Sequence, residues 1–306
     1  MEEGEKKVKW KAWLALLAVC FFWGTTYLAI RLGLQTDSSV KIHGLVLAAT
    51  RQSIAGLILV VIMLLCRVPF PKGKTLLQLV TIGFLLLSLG NGLATWSMHY
   101  IPSGMASVMS TSGPVFIAIL SHYLVSRVNW SFTLIVGMAL GIVGVLGISW
   151  DHKESFYTEN FSFGVLLNFL ATLVWSLGSV LTAKWKPKVH LLMGAGVQML
   201  FGGAILSLVV LVVGPSQLIS GQPPLTFWYS LIYLIFVGSL LAYSSFMYTL
   251  EHLPPAQAAI YAYINPIVAV LLGWWFLHEH LNLLTVVSMI TTIAGVFLIN
   301  RSFKKS

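Results

Sequence analysis

One arginine stands where a cation is costly. Arg51 lies in an apolar stretch that begins near Lys41, about ten residues or 15 Å in at 1.5 Å per helical residue. That depth is near the centre of a hydrocarbon core ~30 Å thick, where an arginine costs at least ~2.5–3.5 kcal/mol. Glu251 and Glu279 fall at the ends of their apolar stretches, so no acid shares that depth with Arg51. Two roles suit such a guanidinium. It can hold a substrate carboxylate or other anion, or it can be satisfied by freed backbone carbonyls or a bent-in glutamate.

Around it the sequence offers a second set of polar and aromatic residues at similar depths. Trp23, Tyr27, Asn91, Trp96, Thr111, Trp175, Ser179, Gln198, Tyr243, Tyr263 and Asn265 join Arg51 as candidate substrate contacts, with Thr26, Ser107 and Tyr261 at the same level. An unpaired hydroxyl or amide at such a depth is costly, so these groups either bond between helices or line a cavity. Trp10, Trp13, Trp130, Trp150 and Trp228 lie at stretch ends, where aromatic rings anchor at the interface. Pro114 and Pro266 are candidate helix breaks and gates. Neither has an N–H to offer the carbonyl four residues back, at Ser110 and Ala262. His99 and Glu251 are the nearest candidates for proton coupling, and facilitated diffusion or exchange would need neither.

These residues need elements that cross a membrane. Hydrophobic residues are 58% of the chain and charged ones 9%, against about 25% charged in ordinary soluble domains. Ten stretches satisfy the ~20-residue length of a spanning helix: 12–32, 42–66, 75–98, 103–124, 130–150, 162–183, 191–213, 227–249, 255–277 and 283–300. The runs are continuous rather than alternating, which excludes membrane strands. The basic N-terminus (Lys6, Lys7, Lys9, Lys11) precedes a run too long for a signal peptide, read as a retained span. Cys20 and Cys66 sit inside apolar runs as packing residues, with no metal-ligand spacing.

The chain repeats itself. Pro102 and Pro114 recur as Pro254 and Pro266, both 152 residues on, and Trp23 aligns with Trp175 and Ala106 with Ala258 at the same offset. Residues 1–150 and 151–306 are thus expected to be two repeats of five spans, each half with a short basic terminus. Five is odd, so the halves must run in opposite directions. Basic residues agree. Arg67, Lys72 and Lys74 follow span two, and Lys184, Lys186 and Lys188 follow span six, whereas Gly214–Pro224 after span seven has none. By the positive-inside rule both termini are cytoplasmic. The +9 net charge therefore faces anionic headgroups on one leaflet, and nucleic acid need not be invoked.

Enzyme chemistry finds little support. His278-Glu279-His280 places its histidines two apart, on opposite helix faces, whereas a zinc protease needs H-E-x-x-H. No nucleophile elbow, P-loop or dinucleotide motif occurs, and neither cofactor nor metal is expected. A membrane-embedded enzyme and a non-transporting assembly or receptor subunit are the rival readings. Gly137, Gly141, Gly144 and Gly147 form a close-packing face, for use within a monomer or in a homodimer.

Phe22-Trp-Gly-Thr-Thr-Tyr-Leu-Ala-Ile-Arg31, Leu89-Gly-Asn-Gly92, Ile101-Pro-Ser-Gly-Met-Ala106 and Tyr261-Ala-Tyr-Ile-Asn-Pro-Ile-Val-Ala-Val-Leu-Leu-Gly273 resemble the EamA-type branch of the drug/metabolite transporter superfamily. The resemblance runs over essentially the whole chain as two tandem repeats. It implies ten helices, cytoplasmic termini, and export or exchange of small metabolites such as amino acids, often in a bacterial inner membrane. Members commonly end the fourth helix of each repeat with Gly-Glu; here His278-Glu279 keeps the glutamate and Ser126-Arg127 replaces it. The expectation is an all-α integral membrane protein of ten helices in two inverted repeats. It would be a secondary transporter (exporter, exchanger or facilitator) of the plasma membrane that moves a small molecule by alternating access, its partners being substrate and bilayer.

Overall fold

A computed structural model describes residues 2–35, 40–124, 131–151, 160–253, 261–278 and 281–303. In hydrocarbon, backbone groups must bond within their own segment, so runs this apolar become helices. The described residues form one single-turn helix at Pro215–Leu218 and ten long ones. They are α1 (Glu2–Leu34), α2 (Gly44–Leu65), α3 (Gly73–Ser97), α4 (Ser103–Leu124) and α5 (Phe132–Asp151), then α6 (Phe161–Trp185), α7 (Leu191–Val213), α8 (Leu225–Thr249), α9 (Tyr261–Leu277) and α10 (Leu283–Phe303). Seven are long and apolar enough to cross a membrane. Among the described residues the apolar stretches of α5, α9 and α10 are shorter, Phe132–Gly144, Ile264–Leu277 and Leu283–Ile299.

The packing is unchanged when the halves are exchanged. α1 packs on α8 and α9, as α6 packs on α3 and α4; the α2–α7 and α5–α10 pairs map onto themselves. Both of these pairs are antiparallel. A Cβ on Gly56 would meet Leu200, one on Gly203 would meet Ser53, and Gly196 faces Val60, so one number rises as the other falls. Gly137 against Ile299 and Gly144 against Thr292 show the same in α5 and α10. Equivalent helices running in opposite directions are the structural form of an inverted repeat. The glycine face of α5 is thus spent inside the chain, where a Cβ on Gly137 would lie 2.8 Å from the Gly295 carbonyl.

Inside, apolar side chains pack tightly. Val19, Leu47, Ile82 and Leu234 are wholly buried in the main cluster, while Leu65, Phe132 and Val212 lie on an exposed apolar exterior that suits lipid. At one end the halves are stitched together. β1 (Lys41–Ile42) pairs antiparallel with β2 (Ile219–Ser220), and His43 N–H donates to the Leu218 carbonyl at 2.8 Å.

Three helices depart from regular winding. α3 is a π helix over Phe84–Gly90 and α8 over Leu234–Leu241; the repeat offset maps the second onto 82–89. π turns re-aim side chains and gather at functional sites. α4 is interrupted at Thr111–Ser112, before Pro114. Thr111 and Ser112 N–H groups reach only three residues back, and the Thr111 and Ser112 hydroxyls cover the Val108 and Met109 carbonyls at 2.6 and 2.8 Å. Proline suits the first turn of a new helix, where its missing N–H is not needed. Pro114 therefore opens the second half of α4, Gly113–Leu124, whereas α9 runs on through Pro266.

Candidate functional site

α2 delivers Arg51 to the seam between the halves. Its Nε donates to Ser239 Oγ at 2.8 Å, and its terminal nitrogens lie over Gly238, where a Cβ would sit 2.9 Å from Nη2. Both partners belong to the π segment of α8. Arg51 is 5% exposed, and no carboxylate stands among the described residues lining the cavity it faces. A hydroxyl partner leaves the positive charge uncompensated.

The cavity holds about 180 Å³ and takes its walls from α1, α2, α3 and α4 of one half and α6, α8 and α9 of the other. Trp23 is the hub of an aromatic wall. Its ring lies 4.8 Å from Phe246, 5.2 Å from Tyr261, 6.0 Å from Trp175 and 6.5 Å from Tyr243. The contacts with Trp175 and Tyr261 are edge-to-face and those with Phe246 and Tyr243 are tilted, so the rings hold one another without a hydrogen bond at each. The indole N–H donates to the Gly238 carbonyl at 3.2 Å. Opposite in chemistry is a polar group on α2 and α3, where Gln52 Nε2 donates to Asn91 Oδ1 at 3.2 Å. Gln52 Oε1, Thr95 Oγ1 and Ser107 Oγ are buried with no partner, and all three residues line the cavity.

Of the residues expected from sequence, Arg51, Trp23, Tyr27, Asn91, Thr111, Trp175, Tyr243 and Asn265 line this cavity, as do Pro114 and Pro266. Asn265, its amide nitrogen turned toward carbonyls, donates to Cys20 O at 2.8 Å and Tyr261 O at 3.2 Å, which ties α9 to α1. Gln198 stands behind the wall, accepting from the Tyr243 hydroxyl at 2.5 Å. Ser179 bonds to the Trp175 carbonyl along its own helix and does not line the cavity. Trp96 is also outside the lining, 4.8 Å from the His43 ring and 5.4 Å from Phe163. The side chains of Tyr263 and Glu251 lie outside the described residues.

His99 stands at a helix end, outside the lining. Its Nε2 accepts the Gly44 N–H at 2.9 Å. Burial holds its pKa down to about 4, and the nearby His43 and Arg31 charges push the same way. It is therefore neutral at pH 7. Gln52, Thr95, Gly238 and Ser239 were missing from the sequence expectations; Gln52, a polar residue next to Arg51 in mid-span, was the one signal that could have found them.

Two inverted helical repeats that enclose a mixed polar and aromatic cavity at the depth of Arg51 define a multi-pass membrane transporter. The comparisons with known proteins agree, and they set the enzyme reading aside. The chain belongs to the EamA-like transporter family, which matches residues 10–150 and 162–301. It is 32% identical over 263 residues to the uncharacterized inner membrane transporter YedA of Escherichia coli (strain K12), covering 85% of this chain and 80% of that protein. It is 24% identical to the uncharacterized transporter YoaV of Bacillus subtilis (strain 168), over 96% and 98% of the two. Protein PecM of Dickeya dadantii (strain 3937) is 28% identical over 93% and 90%. A solved crystal structure superposes with a TM-score of 0.68 at 15% identity, over 94% of this chain and 96% of its own, a likeness of fold.

Proposed function

We propose that this transporter is a secondary carrier of small amphipathic metabolites such as amino acids, working as an exporter, exchanger or facilitator. Residues 1–150 and 151–306 act as its two repeats, and it sits in the inner (plasma) membrane with both termini in the cytoplasm. The observation that carries the reading is Arg51, buried and bonded to a serine hydroxyl instead of an acid. Such a cation is offset best by an anionic group of the substrate. The N-terminal end of the half-helix Gly113–Leu124, at the cavity wall, adds a favourable dipole.

The rest of the wall narrows the class. A buried polar atom without a partner costs ~1–3 kcal/mol, so Gln52 Oε1, Thr95 Oγ1 and Ser107 Oγ favour an occupant that brings hydrogen-bonding groups. Gln52 Oε1 accepts only, which calls for a donor such as an ammonium or hydroxyl. The Trp23–Trp175–Tyr261 wall receives an apolar side chain. Together these describe a zwitterion with an apolar body. Release then requires that the β1–β2 contact between the halves open as one repeat rocks against the other.

Purified protein in liposomes, offered a panel of labelled amino acids and uncharged analogues, tests this. Saturable flux is expected for compounds that carry both a carboxylate and a donor. No saturable flux for any of them would sink the proposal.

A further inference from the structure

A second recess, of about 540 Å³, opens at the end of the bundle that carries the N-terminus. Its walls come from α1 at Ala15, from His190 and Leu191 at the start of α7, and from α8 between Leu241 and Tyr248. α8 packs on both α1 and α7, so it forms the floor of a slot between them. Leu191, Leu192, Leu240 and Leu241 with Ala15 and Val189 make the walls largely aliphatic, and Leu241 is 45% exposed, so the slot opens sideways. Ser244 Oγ, at the floor, is buried and has no hydrogen-bond partner. The rim is basic. Lys11 stands four residues before Ala15, about one turn (5.4 Å) nearer the helix end. Lys186 and Lys188 lead into His190, and all three lysines are exposed.

The pseudo-symmetry shows what this slot lacks. The 152-residue offset maps Tyr248 onto Trp96, and Lys11 onto Phe163. In that matching crevice, at the other end of the bundle, the chain supplies the rings itself. Trp96 lies 5.4 Å from Phe163 and 4.8 Å from His43, and Tyr100 lies 5.7 Å from Phe163. Around the recess a lysine stands for the phenylalanine, and Tyr248 is stacked on His252 at 4.1 Å. One crevice is filled from within, and the other presents an apolar slot, an orphan hydroxyl and a cationic rim.

We propose that this recess is a binding site for one anionic phospholipid of the leaflet that faces the basic loops. The acyl chain lies along Leu191 and Leu241, the Ser244 hydroxyl donates to the ester region, and Lys11, Lys186 and Lys188 hold the phosphate. The site does not depend on the substrate reading of the central cavity, and lipid retention is measured without transport.

Native mass spectrometry of the full chain tests it. The protein is delipidated in mild detergent and offered phosphatidylglycerol or phosphatidylcholine at equal concentration. One phosphatidylglycerol per chain is expected to persist at a collision energy that strips phosphatidylcholine. Lys11→Gln and Lys188→Gln, at exposed positions that leave folding intact, each lower that retention about fivefold. Arg301→Gln, at an exposed basic position on α10, which packs on α4, α5 and α9 and not on the walls of the recess, leaves it unchanged. Leu241→Trp, which fills the slot, abolishes it. Equal retention of the two lipids overturns the proposal. So does an equal loss in the Arg301 variant, or a lipid-free dimer in the wild-type spectra.

Discussion

The two halves share a fold and differ where α2 and α7 cross. Arg51 in α2 corresponds to Gly203 in α7 at the repeat offset. Gly203 carries no side chain because the α2 backbone lies against it, with a Cβ only 2.3 Å from Ser53 N. Arg51 points away from that crossing to the π segment of α8, where Gly238 leaves room for the guanidinium. One half thus supplies the charge and the other the space and the hydroxyl that seat it. The scaffold is symmetric, and the cavity chemistry is not.

Copying the charge into the other half breaks the comparison most severely. Gly203→Arg would equalise the two sequences, yet its side chain has to enter a packed backbone crossing, where overpacking costs several kcal/mol. Loss of monodisperse folded protein in size-exclusion chromatography is expected, against normal behaviour for Lys72→Gln. A folded, active Gly203→Arg protein would mean that α2 and α7 do not cross there.

Fixing the halves together tests whether they move. Lys41 and Ser220 are direct partners in the β1–β2 ladder, at a spacing a disulfide can span. In the Lys41→Cys, Ser220→Cys protein, with Cys20 and Cys66 changed to Ser, oxidation is expected to stop flux and reduction to restore it. Flux that persists in the oxidised form would show that this end need not open.

A smaller effect sharpens the contrast between the polar and aromatic walls. Thr95→Val removes a buried hydroxyl that has no partner, at nearly constant volume. The unliganded protein is expected to gain about 1 kcal/mol of stability while apparent substrate affinity falls roughly tenfold. Thermal melts with and without substrate separate the two. A variant that loses stability and keeps its affinity would give Thr95 a structural role only.

Much of the scaffold was legible in the chain. Apolar length alone located ten helices, and the odd span number with the loop lysines implied the inversion later seen in the antiparallel α2–α7 and α5–α10 pairs. The site was legible by depth but not by direction. Ser179 and Gln198 lie near the level of Tyr243 yet point elsewhere, because depth says nothing of which helix face meets the cavity, and Trp96 falls at the end of α3 beside His43 instead of in mid-span. The π segments left no mark in Phe84–Gly90 or Leu234–Leu241, since that winding answers to packing around the cavity and not to residue type. Without them, Gly238 and Ser239 could not be paired with Arg51. The α4 break was expected at Pro114 and falls at Thr111–Ser112, where three consecutive hydroxyls, from Ser110 to Ser112, take up backbone carbonyls.

The central claim is that Arg51 receives an anionic group of the substrate. Flux of matched carboxylate and amide forms of one substrate through Arg51→Ala protein in liposomes tests it most directly. The carboxylate form is expected to lose at least tenfold in apparent affinity while the amide form changes little, and Arg51→Lys recovers only part of the loss because a point charge lacks the guanidinium fork. An equal loss for both forms would contradict the account and leave Arg51 as a structural strut between α2 and α8.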